Sequence, residues 1–323
     1  MKKVLGMGNA LVDMLIRIEN DHQLEKFQLP KGSMQLVNGE TSRMIRQECA
    51  GIPSELASGG SAANTIHGLA SLGVNTAFIG KVGNDDMGRF FADDFRKAGC
   101  DPKLLIGASD TGVATTFITP DSERTFATYL GSAAELTPED LRADMFEGYE
   151  VFHIEGYLVQ NHDLIRRAVE LAKKAGCTVS LDLASYNVVE ANIDFLTSLI
   201  GHGIDIVFAN EEEIKAFTGH EPDMGLEKLS GMAGIAVVKV GSKGAMVKRG
   251  DEKVHVPAYQ ATVIDTTGAG DLFASGFLYG FVQELPLSKS AEYGALLASS
   301  VISTMGARIS VPEWDRLKEV IKG

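Results

Sequence analysis

Cysteine is scarce in this chain of 323 residues, and basic residues are outnumbered by acidic ones. The three cysteines, Cys49, Cys100 and Cys177, lie far apart and form no C-x-x-C pair. This pattern argues against a disulfide framework or a structural zinc site, and it favours a reducing compartment. The formal net charge is −13. Because nucleic acid and anionic membranes attract basic surfaces, we expect neither as a main partner.

The sequence also lacks a long apolar run. No stretch reaches the roughly 20 apolar residues that a transmembrane helix needs. The apolar N-terminus is interrupted by Asp13, Arg17 and Glu19, and no A-x-A-like cleavage site follows it. We therefore interpret this segment as a first β-strand rather than a signal peptide, and we expect a cytoplasmic protein.

Three common enzyme motifs are missing. The histidines have no H-E-x-x-H spacing, which disfavours a zinc hydrolase, and no G-x-x-x-x-G-K-[ST] sequence provides a Walker A loop. The segment Gly6-Met7-Gly8-Asn9-Ala10-Leu11 begins like a dinucleotide fingerprint, but Leu11 stands where the third glycine belongs. An NAD-dependent oxidoreductase is therefore disfavoured.

Short apolar runs alternate with amphipathic helical patterns along the chain. The apolar runs lie at 4–8, 76–82, 151–154, 178–183, 205–209 and 235–240. Between them, segments such as 85–98 and 162–175 place apolar residues on one helical face and end at glycine. This alternation predicts an α/β fold with a doubly wound, mostly parallel sheet that helices cover on both faces.

Two segments break the alternation and predict a small β-sheet lid. Residues 110–130 read as a strand, a Pro-Asp-Ser-Glu turn and a second strand. Residues 14–38 look extended and end in a turn at Gly32. We therefore predict an α/β core of residues 1–13, 39–109 and 131–323, and a β-lid of residues 14–38 and 110–130. Edge hairpins without a moving role are the alternative.

The strongest motif is Asp265-Thr266-Thr267-Gly268-Ala269-Gly270-Asp271, which a helical pattern follows. Gly268, Ala269 and Gly270 thus lie where a loop enters a helix. Glycine lets the backbone approach a ligand, while the first amide groups of a helix lack internal partners and carry the positive end of the macrodipole. The motif therefore predicts an anion site of the kind that phosphoryl transfer needs.

Asp271 directly follows these amide donors, although a carboxylate there would repel a phosphate. We interpret it as a general base that takes a proton from an attacking hydroxyl group. The helix N-terminus is expected to keep this carboxylate ionised and weakly basic. The alternative is an aspartate that only complements the helix dipole.

Other polar residues gather at one edge of the predicted sheet. Gly59 and Gly60 precede a helix at 61–72, and Asn64 on its first turns could hydrogen-bond a polyol. Ligands of open α/β sheets bind beyond the carboxyl ends of the strands. The residues that follow predicted strands are Asn9, Asp13, Glu155, Asp182, Asn210, Glu213, Gly241 and Ser242. Each alone is also compatible with a helix cap or a solvated turn.

Two long motifs resemble the signatures of the ribokinase/PfkB family of carbohydrate kinases. Residues 59–88 resemble the first signature, residues 265–280 resemble the second, and the likeness extends over essentially the whole chain. Asn210-Glu211-Glu212-Glu213 resembles the N-x-x-E motif of that family. The resemblance implies a ribokinase-like core with a β-lid and an ATP-dependent kinase with Mg²⁺ as cofactor. It adds K⁺ as a further candidate.

The resemblance also implies roles for individual residues. Asp271 would be the base, Gly268, Ala269 and Gly270 the anion hole, and Arg124 a lid arginine that reaches the phosphate. The acceptor residues would be Asn9, Asp13, Gly59, Gly60, Asn64 and Glu155. The nucleotide residues would be Asn210, Lys239, Gly241, Ser242 and Gly244. Glu213 would serve the magnesium region, and a monovalent cation would meet Asp265, Thr267, Val301 and Gly306.

The sequence constrains the identity of the phosphoryl acceptor less than it constrains the reaction. Ser61 and Ala62 replace the Lys and Gly of the ribokinase sequence GGKGAN, and the lid segment 121–125 looks more like adenosine-kinase-type members. This implies transfer to the 5′-hydroxyl of a ribose-containing acceptor, with adenosine as the first candidate. A free sugar such as ribose, fructose or 2-keto-3-deoxygluconate is the alternative. A purine would need an apolar wall, for which the candidates are Leu15, Met34, Leu36 and Phe117.

The expected partner is therefore a small sugar or nucleoside. A second copy of the chain, bound through the lid as a homodimer, is a further candidate. A kinase-derived binding or regulatory protein without turnover is the remaining alternative, and the intact glycine loop beside Asp271 disfavours it.

Overall fold

Two β-sheets of different size organise the chain. The computed structural model describes residues 2–121 and 123–322. Met1, Ser122 and Gly323, which the predicted core and lid include, lie outside the described residues. The strands are β1 Lys3–Met7, β2 Leu11–Arg17, β3 Met34–Leu36, β4 Ser54–Gly59, β5 Asn75–Val82, β6 Cys100–Ile106, β7 Thr111–Ile118, β8 Arg124–Gly131, β9 Val151–Glu155, β10 Thr178–Asp182, β11 Ile206–Asn210, β12 Ile235–Lys239, β13 Ala245–Arg249 and β14 Glu252–Val256.

Helices connect most of these strands. They are α1 His22–Lys26, α2 Gly39–Glu48, α3 Ser61–Ser71, α4 Asp86–Lys97, α5 His162–Lys174, α6 Tyr186–Ala191, α7 Ile193–Gly203, α8 Glu211–Thr218, α9 Pro222–Ser230, α10 Ala269–Val282, α11 Leu287–Val301 and α12 Val311–Lys322. Among the described residues, no helix has the length and apolar character required to cross a membrane.

The larger sheet confirms the predicted doubly wound fold. Its strand order is β14-β13-β12-β11-β10-β9-β1-β5-β6. The strands from β12 to β6 pair in parallel, while β13 and β14 add an antiparallel edge. All six apolar runs that the sequence indicated lie in this sheet, because a parallel strand with helices on both faces must be apolar on both sides.

Alternate residues of each strand enter different cores. On β1, Leu5 and Met7 pack with helices α5 to α9, while Val4 packs with helices α3, α4, α10 and α11. Successive side chains point to opposite faces of a strand, so one strand contributes side chains to both cores. The carboxyl ends of the parallel strands β1, β9, β10, β11 and β12 lie along one edge of the larger sheet. The first turn of α10 faces this edge.

The smaller sheet contains the predicted hairpin. Its strand order is β3-β8-β7-β2-β4, in which β7 and β8 form the antiparallel pair that residues 110–130 indicated. Strand β4, which the prediction placed in the core, pairs antiparallel with β2 in this sheet. Residues 14–38 are not wholly extended, since they contain the short helix α1. The division into core and lid, and a homodimer through that lid, stay predictions.

Candidate active site

Two cavities meet at the first turn of helix α10. The first, of about 630 Å³, lies at the carboxyl ends of the central strands. The second, of about 600 Å³, lies between the turn after β12 and helices α10 and α11. Lys239, Gly241, Thr266, Ala269 and Gly270 line both cavities. A molecule that occupied both would therefore pass directly over the glycine loop.

The predicted site residues divide between these cavities. Those that line the first are Asp13, Gly60, Asn64, Asn210, Glu213, Lys239, Gly241, Thr267, Gly268, Ala269, Gly270 and Asp271. Ser242 and Gly244 line the second cavity, together with the apolar side chains of Phe273 and Ile302. The fold therefore brings most of the predicted candidates together at one edge of the sheet.

The glycine loop presents free amide groups to the first cavity. Gly268 has φ 77°, and a Cβ atom there would lie 2.6 Å from the Cβ of Ala307, so glycine is required. The N–H of Ala269 already donates to the carbonyl of Thr266 at 3.2 Å. Within residues 2–121 and 123–322, the N–H groups of Gly268, Gly270 and Asp271 have no acceptor. The loop thus offers three donors, and Ala269 is not one of them.

The carboxylate of Asp271 lies in the same cavity and is held by two donors. Ser61 Oγ donates to Oδ1 at 2.7 Å, and Asn64 Nδ2 donates to Oδ2 at 2.9 Å. Burial raises the pKa of Asp271 to about 6, although these two hydrogen bonds oppose the change. The sequence predicted a weak base, whereas burial outweighs the helix N-terminus and makes this carboxylate a stronger base than an exposed aspartate.

The side chain of Lys239 lies beside the first turn of α10. Its Nζ would lie 3.0 Å from a Cβ atom built on Gly270, and it donates to Asp182 Oδ2 at 2.7 Å. Burial lowers the pKa of Lys239, but the carboxylates of Asp182 and Glu213 raise it further, so the net direction is upward. The ammonium group therefore stays charged beside the free amides of the glycine loop.

Asp13 approaches the cavity from strand β2. Its carboxylate would lie 2.3 Å from a Cβ atom built on Gly59, and Gly60 adopts φ 105° beside it. These two glycines therefore make room for the carboxylate and for the backbone of Asn9. Burial raises the pKa of Asp13 to about 6, Arg308 lowers it, and Asp271 adds to the increase.

Asn9 and Glu155 do not face the cavity as the sequence suggested. Glu155 Oε1 accepts hydrogen bonds from the backbone N–H of Asn9 at 3.0 Å and from its Nδ2 at 2.6 Å, while Oε2 accepts from the N–H of Ala62 at 3.0 Å. The side chain of Glu155 is 1% exposed, and burial raises its pKa to about 7. These residues fasten β1, β9 and α3 together beneath the site.

Arg124 reaches from strand β8 to the loop before the glycines. Its Nη1 contacts Asp265 Oδ1 and donates to Thr267 Oγ1 at 2.8 Å. The N–H of Gly306 donates to Asp265 Oδ2 at 2.8 Å. The guanidinium therefore engages the oxygen atoms that the sequence assigned to a monovalent cation.

Val301 does not complete the predicted cation site. Its carbonyl accepts hydrogen bonds from the N–H of Thr304 at 3.0 Å and from its Oγ1 at 2.8 Å. The carbonyl that meets the loop belongs instead to Ile302, and it accepts from the N–H of Asp265 at 3.2 Å. The carbonyl that meets the loop thus lies one residue beyond Val301, at the end of α11.

Asn210 and Glu213 form the cap of helix α8. The N–H and Nδ2 of Asn210 donate to the two oxygens of Glu213 at 2.8 and 2.7 Å, and Asn210 Oδ1 accepts from the N–H of Glu213 at 2.8 Å. Burial raises the pKa of Glu213 to about 7, and Lys239 opposes this change. The N-x-x-E spacing thus has a capping role of its own. No cluster of three metal-binding side chains was found among the described residues.

Several residues of the site carry no local signal in the sequence. Tyr157, Asp182 and Ser61 line the first cavity, and Arg308 lies behind it. Asp182 was indicated only as a polar residue after a strand, and Ser61 only as a departure from ribokinase. Tyr157 and Arg308 have no motif around them, so the sequence analysis missed both.

The chain is similar to characterised and solved proteins over most of its length. The pfkB family of carbohydrate kinases matches residues 54–314. A 5-dehydro-2-deoxygluconokinase of Geobacillus thermodenitrificans is 31% identical over 286 residues, covering 82% of this chain and 84% of that protein. The crystal structure of a probable sugar kinase from Rhizobium etli CFN 42 is 34% identical with a TM-score of 0.87, covering 99% of this chain and 98% of that one.

The crystal structure of adenosine kinase from Sinorhizobium meliloti is 36% identical with a TM-score of 0.86, and the likeness covers 99% of both chains. The family match spans both glycine loops and Asp271 in the first cavity. This chain therefore belongs to the pfkB family of carbohydrate kinases and is an ATP-dependent kinase of a sugar or nucleoside.

Proposed function

We propose that this kinase phosphorylates the 5′-hydroxyl of a neutral ribose-containing acceptor, with adenosine as the first candidate. The observation that carries this proposal is the charge of the first cavity. Asp13, Asp182 and Asp271 line it, as do three glutamates at the start of α8. Among the described residues that line this cavity, Lys239 is the only cation, and it is paired with Asp182.

An acceptor with its own carboxylate would meet repulsion in such a site. Two unit charges 4 Å apart interact with about 4 kcal/mol at an effective dielectric constant of about 20. A sugar acid would need an arginine or an unpaired lysine to offset this cost. Arg124 is engaged with Asp265, so it does not provide that charge in this arrangement. A neutral polyol, by contrast, can donate hydroxyl hydrogens to the carboxylates.

The wall of the cavity also suits a flat, weakly polar ring. Tyr157 lies on this wall with 41% of its surface exposed, next to Ala184. Of the apolar residues proposed for a purine wall, Met34 and Leu36 are exposed. Phe117 is fully buried in the smaller sheet, so it is not available to contact a purine. Aromatic rings favour offset stacking with other flat rings. We infer that Tyr157 supports the base of a nucleoside.

The residues then act in a simple order. The free N–H groups of Gly268, Gly270 and Asp271 and the ammonium group of Lys239 hold the γ-phosphoryl group, while the apolar second cavity accepts the adenine of ATP. Asp271 takes the proton from the 5′-hydroxyl as its oxygen bonds to phosphorus and the bond to ADP breaks. The products are the phosphate ester, ADP and a proton.

The two predicted metals differ in how well they fit. Mg²⁺ usually keeps several waters and few protein carboxylates, so Glu211, Glu212 and Glu213 at the cavity edge would suffice to hold it. Bound there, it would neutralise charge on the ATP phosphates. A monovalent cation does not fit Asp265 and Thr267 in this arrangement, because Arg124 already contacts their oxygens.

A free-sugar kinase is the second candidate, and the relative named 5-dehydro-2-deoxygluconokinase favours it. ADP release should be measured with adenosine, other nucleosides, ribose, fructose and both 2-keto-3-deoxygluconate and 5-dehydro-2-deoxygluconate. We expect kcat/KM to be highest for a nucleoside and lowest for the two acids. Turnover of an acid without turnover of any nucleoside would overturn the proposal.

The same panel should include Asp271→Asn as the inactive control. We expect kcat to fall by about 10² or more while ATP binding, measured by calorimetry, changes little. Near-normal turnover in this variant would remove the assignment of the base without deciding the acceptor.

A further inference from the structure

Arg308 lies behind the first cavity, where it joins two segments that are distant in sequence. Its Nη1 donates to Asn64 Oδ1 at 2.9 Å. Its Nη2 donates to Ser58 Oγ at 2.7 Å and also contacts the carbonyl of Ser58. Its Nε is buried and has no partner among the described residues. A guanidinium with a buried, unpaired N–H is costly, which indicates a role for this arginine beyond packing.

The contact with Arg308 determines how the amide of Asn64 is oriented. A guanidinium has donors only, so the atom of Asn64 that faces it must be the oxygen. The nitrogen of the same amide therefore faces Asp271, to which it donates at 2.9 Å. If the amide were turned by 180°, its oxygen would lie against the carboxylate and repel it.

Arg308 is itself fixed from the opposite side. Asp94 Oδ2 accepts hydrogen bonds from Ser58 Oγ at 2.5 Å and from the N–H of Ser58 at 3.1 Å. The hydroxyl hydrogen of Ser58 is thus given to Asp94, which leaves its oxygen free to accept from Arg308. The chain of contacts runs from Asp94 through Ser58, Arg308 and Asn64 to Asp271.

We propose that Arg308 is a positioning residue, which acts through Asn64 to hold the Asp271 carboxylate ionised and directed at the acceptor. The inference rests on the proposed function, because it assigns to Asp271 the role of base. Arg308 does not line the first cavity, so it acts without touching the acceptor.

Other charged groups also act on this pair, and a test must allow for them. Those near Arg308 are Asp13 on β2, His67 on α3 and Asp94 on α4. Those near Asp271 are Asp13, Glu155, Tyr157, Asp182 and Lys239. None of them orients the Asn64 amide, so a change that follows Asn64 separates the effect of Arg308 from theirs.

The first experiment needs no acceptor. The side-chain amide ¹⁵N–¹H signals of Asn64, assigned by their loss in Asn64→Leu, are followed against pH to report the ionisation of Asp271. We expect a midpoint near pH 6 in the wild-type protein and a midpoint about one unit higher in Arg308→Met. Arg308→Lys keeps one donor and the charge, so its midpoint should fall between the two. An unchanged midpoint in Arg308→Met overturns the inference.

Kinetics provide the second readout. In Arg308→Met we expect kcat to fall about threefold near pH 6.5 and nearly tenfold at about pH 5, because the acidic limb of its pH profile moves up by about one unit, while KM for ATP stays unchanged. Asn64→Leu should shift the limb in the same direction, and the double variant should shift it no further. Additive shifts in the double variant would contradict a pathway through Asn64.

Two further variants keep the test decisive. Arg316→Met removes an exposed arginine whose ion-pair partner among the described residues is Glu313 on its own helix, and it should behave as the wild-type protein. If Arg308→Met does not fold, Arg308→Gln takes its place, since glutamine removes the charge but keeps polarity. Wild-type protein that phosphorylates nothing in the panel would overturn the proposed function, while the amide titration would still decide the role of Arg308.

Discussion

Lys239 Nζ lies 2.7 Å from Asp182 Oδ2, and this ion pair stands between the two cavities. Asp182 is 4% exposed, so the pair is largely shielded from solvent. A lysine whose only role was to neutralise Asp182 could approach that carboxylate from any accessible side. Its position beside Gly270 instead places positive charge where we propose that the phosphoryl group passes.

Lys239→Met should therefore abolish most of the activity. We expect kcat to fall by about 10² or more, because the developing phosphoryl charge loses a cationic partner that the ion pair with Asp182 holds in place. The melting temperature should also fall, since Asp182 is left buried without its cation. Lys243→Met, four residues further along the chain and exposed, is the matched control. Equal kcat values in the two variants would refute the role of Lys239.

The buried carboxylates predict a specific dependence of stability on pH. The pKa of Asp13 is about 6 in the folded protein, above its ordinary value of 3.8, so the folded state holds this proton more tightly than the unfolded state does. Its favourable contribution is therefore lost as pH rises from about 4 to about 6. Asp13→Asn should raise the free energy of unfolding by about 1–3 kcal/mol at pH 8 and change it little at pH 4.

Chemical denaturation at the two pH values checks this prediction. Asp315→Asn, an exposed aspartate on α12, should leave the free energy of unfolding unchanged at both. A loss of stability in Asp13→Asn at pH 8 would contradict this prediction. It would show that the attraction between Arg308 and the charged Asp13 outweighs the cost of burying that charge.

Arg124 and a monovalent cation compete for the same oxygens. In Arg124→Gln, the oxygens of Asp265 and Thr267 lose their guanidinium partner, so K⁺ gains access to them. We expect K⁺ to increase kcat in Arg124→Gln and to have little effect on the wild-type enzyme. The assay compares K⁺ with choline at constant ionic strength. Strong activation of the wild-type enzyme by K⁺ would show that Arg124 leaves this position during turnover.

Gly268 should tolerate no side chain. Gly268→Ala adds a strained backbone at φ 77° and a Cβ atom 2.6 Å from Ala307 Cβ. Gly73→Ala has a comparable φ of 87° but meets nothing within 4 Å, so it isolates the backbone effect. We expect about 1 kcal/mol of destabilisation for Gly73→Ala and a larger loss, with a lower kcat, for Gly268→Ala. If Gly268→Ala and Gly73→Ala lost stability and activity equally, the close fit of the loop against Ala307 would be contradicted.

The sequence was sufficient for the parts of the site that lie in one short segment. The anion loop and Asp271 are contiguous, and their chemistry follows from the start of a helix. The same reasoning failed for Asn9 and Glu155, because it could place them at the correct edge but not detect that they bond to each other. Arg308 was missed since its partners are Ser58 and Asn64, about 250 residues earlier in the chain.

Backbone details of the smaller sheet were also beyond the sequence. Strand β4 reads SELASG, which has little β-branched content, and it forms only because β2 offers it an unpaired edge. Tertiary pairing thus overrides local propensity here. The hairpin of β7 and β8 was predictable because alternation and a turn signal occur together.

The connections of the smaller sheet tie its orientation to catalysis. Strand β2 leaves the main sheet just after Asn9 and carries Asp13, while β4 returns to it through Gly60 and continues into helix α3. Asp271 belongs to α10 and stays with the main sheet. A tilt of the smaller sheet would therefore change the separation of the Asp13 and Asp271 carboxylates, so the shape of the proposed hydroxyl-binding surface depends on how the two sheets are angled.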